Sequence, residues 1–194
     1  MAAPSGIELA SQDASSIPDG AAILCRNNAP LLQLAFRLLK QGKAVRMVGF
    51  DIGAGLIRIL RKLGPLDMSE RAAFAAIDQW RDNALLNAKK PETVYDRAEC
   101  LHALVEGKKS LGDAIILADA LFKSTAGVNL LSGHKAKGLE WDVVFHLDPW
   151  RVPSRWVSPG TEAYEQELNV RYVIETRFKQ TLYVVTMEGY GNGE

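Results

Sequence analysis

The 194-residue sequence lacks several features that define other classes of protein. It has two cysteines, Cys25 and Cys100, which lie far apart and form no CxxC pair. We therefore expect neither a disulfide framework nor a zinc site, and this use of cysteine fits a reducing cytoplasm. No apolar run approaches the roughly 20 residues that a membrane-spanning helix requires. The sequence thus predicts a cytoplasmic protein with no membrane partner.

Two further absences concern charge and phosphate binding. Lysine and arginine number 23 and so do aspartate and glutamate, which leaves no global basic field to indicate nucleic acid. A local basic groove remains compatible with such a neutral chain. The sequence also has no G-x-x-x-x-G-K-[ST] phosphate loop, because Lys109 follows Gly107-Lys108 and Ala44 follows Gly42-Lys43. We do not expect this chain to hydrolyse ATP alone.

The apolar pattern predicts an α/β domain with a parallel sheet flanked by helices. The predicted elements are a strand at 21–25, a helix at 29–41 ended by Gly42, strands at 44–48, 128–131 and 142–147, a helix from Thr161 to about Lys179, and a strand at 182–186. Residues 1–20 are rich in Ala, Ser, Pro and Asp, and we interpret them as a flexible leader or a linker remnant. Residues 21–50 and 126–190 would together form the α/β domain.

The segment 51–125 differs from the rest of the chain. Apolar residues recur there at helical spacing in four stretches, and Ser69-Glu70 and Asp113 mark two helix starts. No stretch has the alternation of a strand. We predict a small all-helical insertion within the α/β domain.

Residues 132–141, SGHKAKGLEW, form the most informative stretch. A strand that ends at Ser132, followed by a turn, would place His134, Lys135 and Lys137 at the carboxyl edge of the sheet, where ligands bind in open α/β folds. Gly138 would allow close approach of the backbone to a phosphate or to another domain. On these residues alone, a solvated turn with a capping serine and ordinary lysines is the stronger interpretation.

Two arginines stand out in other segments. Arg177 ends the segment 167–177, ELNVRYVIETR, and its guanidinium offers planar, permanently charged donors suited to a phosphoryl group. The alternative is a surface arginine in a helical ion pair, but the residue four positions earlier is Val173. Arg26 closes the apolar strand of the segment 23–29, ILCRNNA, although an arginine in this position is common in any fold.

Residues after the strand at 142–147 leave alternatives open. Asp148 could bind magnesium at the end of an apolar strand, or it could be a loop or helix-capping aspartate before Pro149. Trp150 and Trp156, with the nearby Arg151 and Arg155, could face DNA or a partner protein, or could simply seal a loop.

In this order, the segments 23–29, 132–141 and 167–177 resemble motifs IV, V and VI of the UvrD/Rep-type superfamily 1 DNA helicases. The resemblance covers residues 21–49 and 128–186, roughly half the chain. It implies the second, C-terminal RecA-like domain of a helicase, with residues 51–125 as a reduced accessory subdomain. It also points towards the compact motors of some phage and prophage proteins.

The resemblance implies a role for each matching residue. Ser132 and His134 would face single-stranded DNA beside Lys135 and Lys137, although the family's commoner Thr-Leu-His is Ser-Gly-His here. The nucleotide-binding residues would be Gly138, Glu140, which meets the ribose, and Arg26 and Arg177. These two arginines would reach the γ-phosphate as the catalytic residues, with Arg177 acting as an arginine finger.

The partners follow from the same resemblance. ATP with Mg²⁺ would be shared with a first motor domain that bears the P-loop and is missing here, and this chain would supply no metal ligand. Single-stranded DNA would be the other partner. The alternative is a non-catalytic remnant of a helicase that binds DNA or a partner protein without turnover.

Overall fold

The computed structural model describes residues 7–8 and 16–187. The strands are β1 (Ile7–Glu8), β2 (Ala22–Cys25), β3 (Val45–Met47), β4 (Val128–Ser132), β5 (Trp141–Leu147) and β6 (Phe178–Thr186). The helices are α1 (Asn28–Lys40), α2 (Phe50–Leu63), α3 (Glu70–Leu85), α4 (Pro91–Val105), α5 (Leu111–Lys123) and α6 (Glu162–Glu175), with a short 3₁₀ helix at Pro149–Arg151.

The six strands form one sheet in the order β1-β6-β5-β2-β4-β3, and every pairing among the described residues is parallel. Strand β4 enters between β2 and β3, although the four helices α2–α5 precede it in the chain. All four residues of β2 are buried, as the continuous apolar run of a central parallel strand requires. The predicted α/β fold with a parallel sheet is confirmed.

A cluster of buried apolar side chains packs α6 against the sheet. Val170 and Ile174 of α6 pack with Leu24, Leu131 and Val144 of three neighbouring strands. Trp141, the first residue of β5, is partly buried and packs against the same cluster. Leu31, Leu34 and Leu38 of α1 are also buried, and α1 contacts β2, β3 and β4.

The described chain divides into two compact units, of which 49–124 is one and the residues before and after it are the other. The unit 49–124 consists of α2–α5, and its described residues contain no strand. Ser69 caps α3 by accepting a hydrogen bond from the Ala72 N–H at 3.4 Å, and Ser110 caps α5 in the same way from Asp113 at 3.2 Å. Ser110, which follows Gly107-Lys108-Lys109 in the sequence, is therefore a helix cap.

Two element boundaries differ by more than one residue from the sequence predictions. Helix α6 ends at Glu175 rather than near Lys179, and β6 begins at Phe178 rather than at 182. The polar run 179–181 hid this start because the first part of β6 is exposed on the sheet.

Ile7–Glu8 pair with β6, and Ile17 is 1% exposed, so these parts of the predicted flexible leader are structured. Residues 1–6, 9–15 and 188–190 of the predicted segments lie outside the described residues. No described helix is both long enough and apolar enough to cross a membrane.

His146 is a fully buried polar side chain in the middle of the sheet. Neither of its ring nitrogens has a hydrogen-bond partner in the described residues, and Glu175 Oε1 lies 3.6 Å from Nδ1. Burial lowers the pKa of His146 from 6.5 to about 4, against the opposing pull of Glu175. The imidazole is therefore neutral at pH 7 in the folded state.

We expect His146 to make the protein less stable in acid. The unfolded chain takes up a proton near pH 6.5 and the folded chain only near pH 4, so the free energy of unfolding falls as the pH drops through this window. The expected loss is about 3 kcal/mol. Urea unfolding followed by circular dichroism across this range should show the loss in the wild type and a smaller loss in His146→Leu. Parallel pH profiles for the two proteins would contradict the assignment.

Candidate functional site

The carboxyl ends of β2 and β4 lie side by side. Cys25 is in register with Ser132, and the Gly133 N–H donates to the Cys25 carbonyl at 2.9 Å. The next residues, Arg26 and Gly133, therefore leave the same edge of the sheet. This confirms the prediction that the strand ends at Ser132 and that the turn after it lies at the carboxyl edge.

The turn at 133–138 presents three predicted DNA-binding side chains to solvent. Ala136 is fully buried in the core, while His134, Lys135 and Lys137 around it are exposed. The Ser132 carbonyl accepts hydrogen bonds from the Lys135 and Ala136 N–H groups at 2.9 and 3.2 Å. Ser132 itself is only 6% exposed, so it offers far less surface to a DNA strand than the three side chains that follow.

The positions of Gly133 and Gly138 favour glycine for different physical reasons. A Cβ on Gly133 would lie 2.7 Å from the Ile174 side chain and 2.9 Å from that of Val170, so the turn fits closely against α6 only without a side chain. This contact explains the glycine in Ser-Gly-His. Gly138 has a left-handed φ of 82°, and a Cβ there would meet no described atom within 4 Å. Its backbone conformation therefore favours glycine, and the space beside it is open.

Arg177 and Glu140 lie together at the amino edge of the sheet, where the parallel strands begin, opposite the carboxyl edge that holds Arg26. They directly precede β6 and β5, and the Trp141 N–H donates to the Arg177 carbonyl at 3.0 Å. The Arg177 guanidinium folds back on the end of α6, where Nε donates to the Val173 carbonyl at 3.1 Å and Nη2 to Thr176 Oγ1 at 2.9 Å. Arg177 is thus partly buried and stabilises the last carbonyls of the helix, while Glu140 is exposed.

Arg26 forms a bidentate ion pair with Glu167 of α6. Its Nε and Nη2 donate to the two carboxylate oxygens at 2.7 Å each, and the side chains are only 14% and 8% exposed. Glu167 Oε2 also accepts the Ser154 N–H at 3.0 Å. One carboxylate therefore ties together the end of β2, the loop after β5 and helix α6.

The structure does not bring Arg26 and Arg177 to one point. The strand registers place Arg26 level with residue 148 and Arg177 level with residue 140, which at 3.3 Å per residue puts their Cα atoms about 25 Å apart along the sheet. Two arginine side chains cannot both reach one phosphate across that distance. In this conformation Arg26 is engaged by Glu167, at the opposite edge from Arg177, so the structure does not place the two arginines for the expected joint contact with a γ-phosphate.

Asp148 has a structural role in this fold. It is 1% exposed, Oδ2 accepts from Arg151 Nε at 3.0 Å, and Oδ1 accepts from the Met187 N–H at 3.0 Å. It precedes the 3₁₀ helix but makes no side-chain cap to it. Its carboxylate is thus occupied within the chain, which fits the loop interpretation and not a magnesium ligand. Within the described ranges, no three His, Cys, Asp or Glu side chains are grouped to hold a metal ion.

Glu167 is the residue that sequence reasoning missed. The signal was present, because Glu167, Val170 and Ile174 recur at helical spacing and so share the buried face of α6. A carboxylate on an apolar helix face requires a buried cation or several donors. Arg26 meets that requirement from 141 positions away in the chain.

Comparisons with known proteins support the resemblance to the UvrD-like helicases. Residues 95–189 match the family model described as UvrD-like helicase C-terminal domain. The chain is 28% identical over 120 residues to DNA helicase II of Rickettsia typhi, an alignment that covers 54% of this chain and 18% of that protein. Probable DNA helicase II homologs of Rickettsia conorii and Rickettsia felis are 28% identical over 119 residues, with the same shares. The match thus spans about a fifth of these relatives.

Proposed function

Because residues 95–189 belong to the family of UvrD-like helicase C-terminal domains, we propose that this chain is the C-terminal motor half of an ATP-dependent DNA helicase. The observation that carries the proposal is the parallel sheet, in which the paired strands β2 and β4 bring the segments 23–29 and 132–141 side by side. The segment 167–177 lies largely on α6, which packs on the same strands. Residues 21–50 and 126–190 would form the second RecA-like domain, and 51–125 a reduced accessory subdomain. A phage or prophage origin stays a prediction.

In this proposal Arg177 is the residue that acts on the nucleotide. Bound ATP would supply the phosphoryl group, with its Mg²⁺ held by a P-loop-bearing first domain. Two nitrogens of the Arg177 guanidinium contact the end of α6, and a guanidinium has five N–H donors, so further donors remain for phosphate oxygens. The adjacent Glu140 is exposed and would accept a hydrogen bond from the ribose.

The Arg26 role differs from that of Arg177. We propose that Arg26 positions the site rather than touching the nucleotide, because breaking its pair with Glu167 would leave a buried carboxylate without its cation. The pair holds the end of β2 against α6, the helix whose far end carries Arg177. We therefore expect the pair to keep the end of β2 and the end of α6 near Arg177 in fixed positions.

Single-stranded DNA would bind at the carboxyl edge. His134, Lys135 and Lys137 are exposed on a turn that is anchored in the core by Ala136, which gives a positively charged surface with a fixed backbone. Contacts of this kind go to phosphates, so we expect little sequence preference. Ser132 would hold the turn in place through its carbonyl group and would make at most a minor direct contact with the DNA.

Salt-dependent binding tests this part of the proposal. We expect Lys135→Ala/Lys137→Ala to weaken binding to oligothymidylate and to reduce the slope of log K against log salt by about 1.4, since each phosphate contact on single strands contributes about 0.7. Fluorescence anisotropy across a potassium chloride series measures the slope. Lys89→Ala/Lys90→Ala, an exposed pair in the helical unit, is the matched control. An unchanged slope in the first variant would contradict the assignment.

A further inference from the structure

The loop at 148–160, called here the Trp–Arg loop, exposes two large aromatic side chains. Trp150 and Trp156 are 55% and 49% exposed. Arg151 lies over the Trp150 ring with its Cζ 4.5 Å from the ring centroid, and Arg155 lies over Trp156 at 5.3 Å. Each indole is thus paired with a cation while about half of its surface remains open to solvent.

The base of this loop is held firmly. Arg151 is tied to the buried Asp148, and the Ser154 N–H is bound by Glu167. Val152 is 2% exposed and packs in the core with Val170 and Ile174 of α6. The two indoles are therefore displayed from a loop whose backbone is fixed at three points, so ordering it on binding costs little conformational entropy.

The charge and position of the loop indicate the chemical character of the partner that it fits. Asp148 is the one acidic residue of 148–160, and it is buried and paired with Arg151, so the exposed charge of the loop is positive. The loop follows the carboxyl end of β5, whose neighbour β2 pairs with β4, so it leaves the same edge of the sheet as the turn at 133–138. An anion with flat apolar faces matches both properties.

We propose that Trp150 and Trp156 stack on bases of single-stranded nucleic acid that the turn at 133–138 holds by its phosphates. The proposal deepens the function proposed above and rests on it. Aromatic side chains stack on any base, so the contact adds affinity without sequence preference. Arg151 is paired with Asp148, whereas Arg155 beside Trp156 is exposed and adds attraction to the phosphates. The turn and the Trp–Arg loop would then form one continuous path for a strand.

Binding of two labelled oligonucleotides to the full chain tests this proposal. One is oligothymidylate, and the other is an abasic strand of the same length, which has the phosphates but no bases. We expect wild type to prefer the thymidylate, and Trp150→Ala/Trp156→Ala to lose about tenfold in thymidylate affinity for each indole while keeping its abasic affinity. Trp150→Phe/Trp156→Phe, which keeps two rings, should retain most of the preference. Leu86→Ala, which truncates a side chain that is 80% exposed in the helical unit, is the control.

The outcomes separate the stacking contact from the function on which it rests. Equal thymidylate affinity in wild type and the alanine variant would overturn the stacking contact alone, and so would an equal loss on both strands with an unchanged circular dichroism spectrum. If the alanine variant unfolds, the phenylalanine variant decides, because a loss of base preference with two rings present contradicts stacking. Failure of the wild type to bind either strand would overturn the proposed function together with this inference. Unchanged thymidylate affinity in the alanine variant, together with a loss of ATP turnover in a mixture with a P-loop-bearing first domain, would overturn stacking and assign the loop to a protein contact.

Discussion

Arg177→Ala is expected to abolish ATP turnover by the assembled motor. Mixed with a first motor domain that bears a P-loop, the wild-type chain should support hydrolysis stimulated by single-stranded DNA, and the variant should lose about 10³-fold or more of that rate. The reason is that a guanidinium placed across the cleft neutralises charge on the transferred phosphoryl group, and alanine leaves that charge unbalanced. Steady-state phosphate release at saturating DNA measures the effect.

Arg171→Ala is the matched control for Arg177. Arg171 lies on the same helix, is 48% exposed, and pairs with Glu175 at 2.9 Å. Its removal should change turnover by less than a factor of about two, since exposed helical ion pairs contribute about 0.3–0.5 kcal/mol. Arg177→Lys keeps the charge but loses the planar bidentate geometry, and should remain strongly impaired. Turnover in Arg177→Ala within a few-fold of wild type would show that another residue acts on the phosphate.

Glu167→Gln is expected to cause the largest loss of stability among the site variants. Glutamine keeps the shape of the side chain but leaves the partly buried Arg26 without a counter-charge and turns one of its acceptors into a donor. Breaking a buried ion pair from one side costs about 3–5 kcal/mol, and the 14% exposure of Arg26 places this pair near the lower end of that range. The free energy of unfolding in urea at pH 7 measures the loss.

Two further variants establish why Glu167 matters. Asp119→Asn breaks the pair that Asp119 forms with Lys123, where the side chains are 46% and 64% exposed, and should cost less than about 1 kcal/mol. Arg26→Met/Glu167→Leu replaces the buried pair with apolar side chains and should recover much of the stability lost in Glu167→Gln. If Glu167→Gln unfolds at the wild-type urea concentration, Arg26 is not held in this pair in solution, and its expected contact with the γ-phosphate becomes the better explanation.

Local sequence pattern was sufficient for much of the fold. The buried run of β2 and the helical spacing of α1 each follow from a few neighbouring residues, and so does the end of β4 at Ser132. Ser69 shows the same for a helix start, because the cap and the residues it serves are adjacent. The start of β6 was missed because residues 179–181 are polar, and only pairing with Trp141 makes Phe178 part of a strand.

The candidate site was less accessible from the sequence, because its geometry depends on pairs that are distant in the chain. Arg26 and Glu167 are 141 positions apart, so neither residue alone indicated the ion pair. The edges at which Arg26 and Arg177 lie became clear only from strand order and direction. By contrast, the exposed lysines of the turn followed from Ser132 ending a strand, which is a local property.

The central claim is that this chain supplies one half of an ATP-driven motor and needs a P-loop from another domain. Its most direct test is ATP hydrolysis, with and without single-stranded DNA, by the chain alone and mixed with a P-loop-bearing first motor domain encoded beside or ahead of it. We predict no turnover by the chain alone and DNA-stimulated turnover in the mixture. Turnover by the chain alone would contradict the account, and DNA binding without turnover in any mixture would establish the non-catalytic alternative.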